Sequence, residues 1–469
     1  MRALFLSRDS GDSLYPRGLP RSYELATVTD ELKTAIISLA PTPSLNKILG
    51  KTAMKRNIGK QIALAFASLS LASSVAMADD WGQWRGPQRD GKSAEKGLLA
   101  KWPEGGPKLV WQAKDIGDGY STPSVVGEQL FVISNRGNEK EEVLALSTAT
   151  GNKVWSAPIG KVGKNQGPQY PGTRATPTVA GDSVYALGSD GDLVCLDIKS
   201  GQKKWAKNLR SDFGGLAGMW AYTESPLIDG DLLICTPGGA TATVIALKKA
   251  TGEVVWKSPL PEADAASYSS PVIATIDGVK QYIVYLGKGI VGLKADTGDL
   301  LWRYTKTSDA QANIATPIAS GNYVYSAASR VGGGLVQVTG TKSEPKELYF
   351  AKSLPAGMGG SVLIDGNLYG SIGETMACVD FMTGTIKWQD RGVGSASVCF
   401  ADGRLYLHNL KNQLAMIEAS ADGFKLLGTV TPPGTTEHGT AKPWTHPVIS
   451  NGKLYVRDQG DVWCYDIKG

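Results

Sequence analysis

The apolar positions of this chain come in short runs rather than in long amphipathic stretches. Runs such as Val194-Cys195-Leu196-Asp197, Val244-Ile245-Ala246-Leu247 and Ala377-Cys378-Val379-Asp380 each lead into a polar turn. In five places the turn reads Thr or Ser, then Gly, then Trp four residues on: Thr150-Gly151 to Trp155, Ser200-Gly201 to Trp205, Thr251-Gly252 to Trp256, Thr297-Gly298 to Trp302, and Thr383-Gly384 to Trp388. The pattern predicts strand, tight turn, strand. Gly supplies the positive φ of the turn, and Asp197, Asp380 and Asp466 are placed to bond turn amides through their side chains. The Trp is expected to pack its ring between neighbouring sheets.

A second mark lies upstream in each unit. Pro123, Pro177, Pro317 and Pro447 are each followed eight residues later by Phe131, Tyr185, Tyr325 and Tyr455, with a Gly-containing polar turn between. Ile234 stands at that distance from Pro226, Ser361 replaces Pro before Tyr369, and looser copies start at Pro271 and Ser397. Each unit therefore holds two hairpins, four strands in all, spaced 39 to 51 residues from one Trp position to the next. Such a unit cannot bury both faces alone, whereas radial stacking on identical neighbours does.

The Trp position runs through Trp111, Trp155, Trp205, Trp256 and Trp302, then Tyr349, Trp388 and Leu427, with Tyr349 and Leu427 as worn copies, which makes eight. The first and last pieces are incomplete, since Trp111 has no hairpin before it and the chain stops after Asp466-Ile467-Lys468-Gly469. The expectation is an all-β, eight-bladed β-propeller of four-stranded antiparallel blades, its ring closed by the N-terminal strand at Trp111 pairing into the C-terminal blade. Trp111, Trp155, Trp205, Trp256, Trp302 and Trp388 are the expected blade-docking residues. The 57 Gly, 24 Pro and 12 Trp, with only 20% charged residues, fit many short strands and tight turns.

The N-terminal quarter reads differently. Met54-Lys55-Arg56-Asn57-Ile58-Gly59-Lys60, an apolar stretch from Ile62 to about Leu71, and Ala76-Met77-Ala78 form the three parts of a secretory signal peptide over 54–78. Its apolar part is shorter than the ~20 residues a membrane span needs. Cleavage is expected after Ala78, and the absence of Cys at the new terminus argues against lipid attachment. Residues 1–53 are expected to be an upstream extension, with Met54 as the true start or, as the alternative, a disordered segment. Residues 79–107 form a lead-in and 108–469 the propeller. Residues 1–78 carry ten Lys or Arg against five Asp or Glu, so the net charge of +5 belongs to the removed segment and 39 of each sign remain. That balance points to no nucleic-acid or membrane-surface footprint, and to no integral membrane segment once the signal is gone.

The phrase Leu-Asp-x-x-x-Gly-x-x-x-Trp, read at Leu196 to Trp205, resembles the PQQ-like repeat over roughly residues 108–469. That repeat is shared by quinoprotein alcohol dehydrogenases, which use pyrroloquinoline quinone (PQQ), and by the outer-membrane assembly lipoprotein BamB. The lead segment Trp81-Gly82-Gln83-Trp84-Arg85-Gly86-Pro87 and Arg174-Ala175-Thr176-Pro177 look like an exported bacterial group of such propellers. A WD40 propeller is disfavoured, because none of the five repeat tryptophans is followed by Asp.

In a propeller the loops leading into the Pro marks surround one mouth. Three long loops, 156–175, 206–224 and 428–446, bring Arg174, Trp220, Tyr222, Glu224, Trp444 and His446 there, and shorter ones add Tyr268 and Asn313. One expectation is an aromatic-walled site, with Trp220 or Trp444 stacking on a planar ligand and Arg174 clamping a carboxylate. The competing one is that the tryptophans fill the channel and Arg174 pairs with Glu224. The resemblance implies two function classes. The favoured one is a non-catalytic binding or scaffolding propeller, periplasmic or otherwise exported, soluble, monomeric and without cofactor, that takes a protein partner or extended peptide segment at the cell envelope. The other is a PQQ-dependent dehydrogenase of an alcohol or sugar, with calcium and with Glu224 as the one metal ligand to offer. Against the second, the chain has neither an adjacent Cys pair nor Cys-x-x-Cys-His. The five cysteines read as small buried apolar residues, and His408, His438 and His446 as too scattered for a metal cluster.

Overall fold

The computed structural model describes residues 80–164, 172–340, 344–436, 439 and 441–469. The expected extension, signal peptide and cleavage point lie outside the described residues. Among the described residues, thirty-two strands form eight sheets of four, each in simple up-and-down order. Blades 1 to 7 occupy 124–161, 178–208, 227–258, 272–304, 318–351, 361–390 and 396–430, and blade 8 combines 448–466 with the strand Lys108–Ala113. That strand pairs antiparallel with Asp461–Asp466, bringing Trp111 opposite Cys464, so the ring closes as expected.

The outermost strand of every blade carries a β-bulge at one place. In blade 2, Cys195 pairs with Trp205 but Leu196 with Lys203, so Lys204 is the extra residue; in blade 1 it is Val154 and in blade 8 Val110. A bulge kinks and twists a strand locally, and here it aims the following ring at the adjacent blade. Trp111, Trp155, Trp205, Trp256 and Trp388 donate Nε1 to Thr148, Ile198, Lys249, Ala295 and Ser420 carbonyls of the next blade, at 2.8–3.1 Å. Tyr349 does the same with its hydroxyl to the Phe381 carbonyl. Trp302 departs from the pattern, bonding Gln281 Oε1 within its own blade. Asp197, Asp380 and Asp466 accept turn amides as expected.

The reading of Leu427 is corrected. Register places Gly428, not Leu427, opposite Met416 where other blades hold Trp, and Leu427 is the bulged residue. The missing ring comes from the lead-in. Trp102 donates its backbone N–H to the Leu427 carbonyl and lies against Tyr406 at 6.2 Å and 53°. Trp205 holds the same relation to Tyr185, at 6.1 Å and 48°. Only a residue without Cβ fits beneath it, since a Cβ at Gly428 would sit 2.5 Å from Trp102.

The rest of the lead-in forms a strap along the inner strands. Trp81 pairs with Val125 of blade 1, Gly82 accepts from Val179 of blade 2, and Arg89 donates to the Ser225 and Pro226 carbonyls beside blade 3. Trp84 Nε1 donates to Thr316 Oγ1 at 2.9 Å, Arg85 donates to the Ser361 carbonyl of blade 6, and Gly91 and Ser93 bracket Phe400 of blade 7. Arg85 and Arg89 both adopt positive φ and are almost wholly buried. Burial lowers their pKa values to about 10 and about 9, which still leaves both charged at neutral pH. All five cysteines are free and buried, and Cys195, Cys378 and Cys464 each pair with a docking Trp.

Candidate functional site

Extended backbone sends alternate side chains to opposite faces, and that parity builds the site. Counting back from each Pro mark, residues one and three before it face the axis. Three before stand Tyr120, Arg174, Thr223, Tyr268, Ile314 and Trp444, with Met358 before Ser361, and all seven line one cavity of about 360 Å³. One before stand Thr122, Ser225, Ser270 and His446, which line it too. Trp220 reaches in from its loop, and Trp84 of the strap completes the lining.

The residues one before the marks also stitch the blades together. Thr122 Oγ1 accepts His446 N at 3.0 Å, Ser225 Oγ accepts Thr176 N at 2.9 Å, and Ser270 Oγ accepts Ser225 N at 2.9 Å. Residues two before the marks point the other way and bond the second strand of a blade. Ser121 Oγ accepts Ile133 N, Glu224 Oε1 accepts Thr236 N, and Thr445 Oγ1 donates to the Arg457 carbonyl.

Of the eight residues expected at the mouth, the cavity brings together Arg174, Trp220, Tyr268, Trp444 and His446. Tyr222, Glu224 and Asn313 are placed elsewhere. Tyr222 donates to the Pro237 carbonyl at 2.8 Å, and Asn313 donates to the Leu286 carbonyl and accepts Asp309 N. The expected pairing of Arg174 with Glu224 does not form. Glu224 faces Thr236, and the charge that acts on it is that of Arg89. Burial raises the Glu224 carboxyl to about 7, against its hydrogen bonds from Thr236 and the pull of Arg89. Sequence reasoning missed Tyr120, Thr122, Thr223, Ser225, Ser270, Ile314, Met358 and Trp84. The Pro marks carried the signal for all but Trp84, because spacing from the mark fixes the face.

Two aromatic pairs form the walls. Tyr120 and Trp444 lie 5.0 Å apart at 34°, and Trp220 and Tyr268 lie 5.2 Å apart at 53°, with Tyr268 Oη accepting Trp220 N. The Arg174 guanidinium stands 5.4 Å over the Tyr120 ring. Burial lowers the Arg174 pKa, and the neighbouring tyrosines oppose that shift. At the floor Trp84 meets His446 edge-on at 4.6 Å. Burial, with the Arg85 charge adding to it, lowers His446 to about 3, so it is neutral at pH 7. Arg174 is the one Arg or Lys of the described lining, which includes no carboxylate and no thiol. His408 is buried outside this lining, with Nε2 against Asn412 and Nδ1 against the Thr445 carbonyl, and His438 lies outside the described residues.

The family profile described as outer membrane protein assembly factor BamB matches residues 93–219 and 140–390, more than half of the chain. BamB of Yersinia pestis is 24% identical over 350 residues, covering 68% of this chain and 81% of that protein. BamB of Burkholderia pseudomallei is 24% identical over 201 residues, 41% of this chain and 44% of that one. Among solved structures, BamB of Moraxella catarrhalis superposes with a TM-score of 0.54 at 16% identity, covering 77% of this chain and 97% of that chain. The quinohemoprotein alcohol dehydrogenase of Comamonas testosteroni gives a TM-score of 0.60 at 14% identity, covering 87% and 84%. These two likenesses establish the shared propeller fold and carry no activity with them. On the extent of the profile match, the chain belongs to the family of PQQ-like propellers described as outer membrane protein assembly factor BamB.

Proposed function

We propose that this chain is an exported, non-catalytic propeller that binds or scaffolds a protein partner, or an extended segment of one, at the cell envelope, acting as a soluble monomer through the mouth face. The observation that carries this reading is the chemistry of the mouth. Aromatic walls and the half-exposed Met358, at 37%, line a cavity beside the loop that carries the half-exposed Leu216, at 51%, and that lining offers one guanidinium and, in His446 with its pKa lowered to about 3, only a weak base. Apolar surface beside a few fixed polar groups is a binding surface, and a base whose pKa is lowered to about 3 is poorly matched to proton transfer near pH 7. The family's printed role in outer membrane protein assembly is consistent with it. No helix of the described residues is long and apolar enough to cross a membrane.

The dehydrogenase alternative meets a poor fit. Arg174 could face one carboxylate of PQQ, but the lining supplies no oxygen anion for calcium, and Glu224 is turned into the blade against Thr236 N at 2.5 Å. No step through the quinone follows from these residues.

Photo-crosslinking in cells tests the proposal, with the photoreactive residue at Leu216 or Met358 on the mouth face and at Val154 or Val254 on outer strands. Discrete adducts at the mouth positions are expected. Adducts confined to the outer strands, or saturable PQQ binding with dye-linked alcohol oxidation, would overturn it. Fractionation and N-terminal sequencing test export, with an exported chain beginning at Asp79 expected and one beginning far upstream refuting the proposed cleavage.

A further inference from the structure

On the side of blades 3 to 6 the cavity wall is made of uncharged side chains. Trp220 and Tyr268 form a tilted pair there, Ile314 and Met358 continue the apolar surface, and Ser225 and Ser270 contribute hydroxyls. Burial holds the Tyr268 hydroxyl above its usual range, so it keeps its proton. Trp220, Tyr268 and Ile314 are partly exposed and Met358 is exposed, so this wall is open to a binding segment.

The backbone sets the shape of the aromatic pair. Trp220 sits in a tight turn in which Ala221 N donates to the Gly218 carbonyl at 3.1 Å. Ala221 holds a φ of +67°, a conformation unfavourable for any residue with a Cβ. Tyr268 fixes that turn, because its Oη accepts Trp220 N at 3.1 Å and a Cβ at Gly218 would stand 2.5 Å from the same oxygen. The two rings are thereby kept 5.2 Å apart at 53°, a notch formed before anything binds.

Hydrogen-bonding chemistry narrows what such a notch can take. The hydroxyls of Ser225 and Ser270 accept Thr176 N and Ser225 N, so each still has its own proton to donate. No described lining residue carries a carboxylate or a side-chain amide, the groups best suited to accept a peptide N–H. An ordinary extended segment brings one N–H per residue, and each would lose water here without a strong acceptor in return. A sugar brings several O–H groups with the same need. Proline brings a carbonyl and no N–H, and its ring lays apolar C–H groups on an aromatic face. A proline tract is also pre-set in the polyproline II form, so little ordering entropy is lost on binding, and aromatic-lined grooves receive such segments. A volume of about 360 Å³ is at the small end of ligand pockets and suits a short stretch of chain, roughly one three-residue turn.

We infer that the Trp220–Tyr268 notch, with Ile314 and Met358 beside it, is a docking site for an uncharged proline-rich segment of the partner, one proline ring seated on the aromatic pair. This rests on the reading of the mouth as the binding face, and gives the partner segment its chemistry.

Calorimetric titration of the purified exported protein with end-blocked hexaproline, its all-D enantiomer and an end-blocked Gly-Ala hexapeptide tests it. The enantiomer keeps the composition and reverses the helix, and the Gly-Ala peptide restores the N–H groups. Saturable binding of hexaproline is expected, with the other two weaker by about tenfold or more, the loss that one stacked ring or one unsatisfied N–H accounts for. Trp220→Leu, which keeps apolar bulk and removes the flat face, should weaken hexaproline by about tenfold. Tyr268→Phe, which keeps the ring and removes the acceptor of Trp220 N, should weaken it by about threefold to tenfold. Val254→Ala on the outer strand of blade 3 should leave it unchanged. Thermal unfolding establishes that each variant is folded, and the comparison of the three peptides on the unaltered protein depends on no variant. No saturable binding of hexaproline, equal binding of either control peptide, or a Trp220→Leu that binds like the unaltered protein would overturn the inference. Cellular crosslinks at the mouth without hexaproline binding would sink this inference and leave the scaffolding proposal standing, whereas hexaproline binding with crosslinks confined to the outer strands would sink the scaffolding proposal.

Discussion

The ring of Trp111, on the last strand of blade 8, lies so close over Gly151 of blade 1 that a Cβ there would stand 2.6 Å from Cε3 of the indole. The indole Nε1 meanwhile reaches the Thr148 carbonyl in the same turn at 2.8 Å. Gly201 beneath Trp155 and Gly298 beneath Trp256 repeat the contact at the same 2.6 Å. The repeated Gly is thus required twice, by its positive φ and by the ring above it.

Gly151→Ala should separate those two requirements. Its φ of +73° alone costs an L-residue about 1–2 kcal/mol, and forcing the indole aside adds about 1–3 kcal/mol. Gly127→Ala, at φ +55° with nothing within 4 Å of the new Cβ, should show only the first cost. Urea unfolding of both measures the difference, and equal losses would mean that the inter-blade ring contact is slack.

Trp102→Ala tests whether the lead-in is part of the propeller core. If its ring substitutes for the absent Trp of blade 7, the loss should match that of Trp388→Ala, about 3–5 kcal/mol. A change within about 0.5 kcal/mol, the usual size at a surface position, would show that the strap merely rests on the ring.

What the sequence made legible follows from repetition. Five copies of the turn and Trp declare the blades, and the unpaired ends at Trp111 and Asp466 declare how the ring closes. What occurs once leaves no such trace. Trp102 looks like any lead-in residue because its partners, Gly428 and Tyr406, lie over three hundred positions away, and Arg85 and Arg89 look like solvated charges until the inner strands supply carbonyls for them. At the mouth, Arg174, Tyr268 and Trp444 share one parity relative to their Pro marks, whereas Tyr222, Glu224 and Asn313 stand at even spacing and so face the blades. Loop membership alone cannot tell these faces apart.

Glu141 gives stability a pH dependence of defined sign. Burial lifts its carboxyl from 4.5 to about 7, with Asp192 and Asp190 adding to the rise and the Ser189 hydroxyl and amide opposing it. The folded chain then holds a proton that the unfolded chain has released, so this contribution falls as pH rises from about 4.5 to about 7 and is level above. Glu141→Gln should therefore gain stability over wild type across that window, by about 3 kcal/mol at most at pH 8. Glu224 acts in the same direction, while His446, lowered to about 3, acts oppositely between about 3 and its ordinary 6.5. Only the difference between variant and wild type isolates Glu141. A difference that stays constant from pH 4.5 to pH 8 would mean that the carboxyl is ionised throughout.

Thr122→Val addresses the stitch between blades 8 and 1 where it borders the cavity. The Thr122 hydroxyl accepts His446 N at 3.0 Å, and both residues are almost wholly buried, so an isosteric methyl leaves a buried amide without an acceptor. An orphaned buried amide costs about 1–3 kcal/mol, with little packing change to obscure it. Ser225→Ala should do the same to Thr176 N, between blades 2 and 3. The two stitches join different blade pairs, so the double variant should lose the sum of the single losses. They also differ in position, because only the Thr122 stitch sits at the junction where the ring is closed by the N-terminal strand rather than by continuous chain. Hydrogen exchange of the Lys108–Ala113 strand should therefore accelerate in Thr122→Val and stay unchanged in Ser225→Ala. Equal protection of that strand in both variants would show that closure rests on the Trp111 contacts alone.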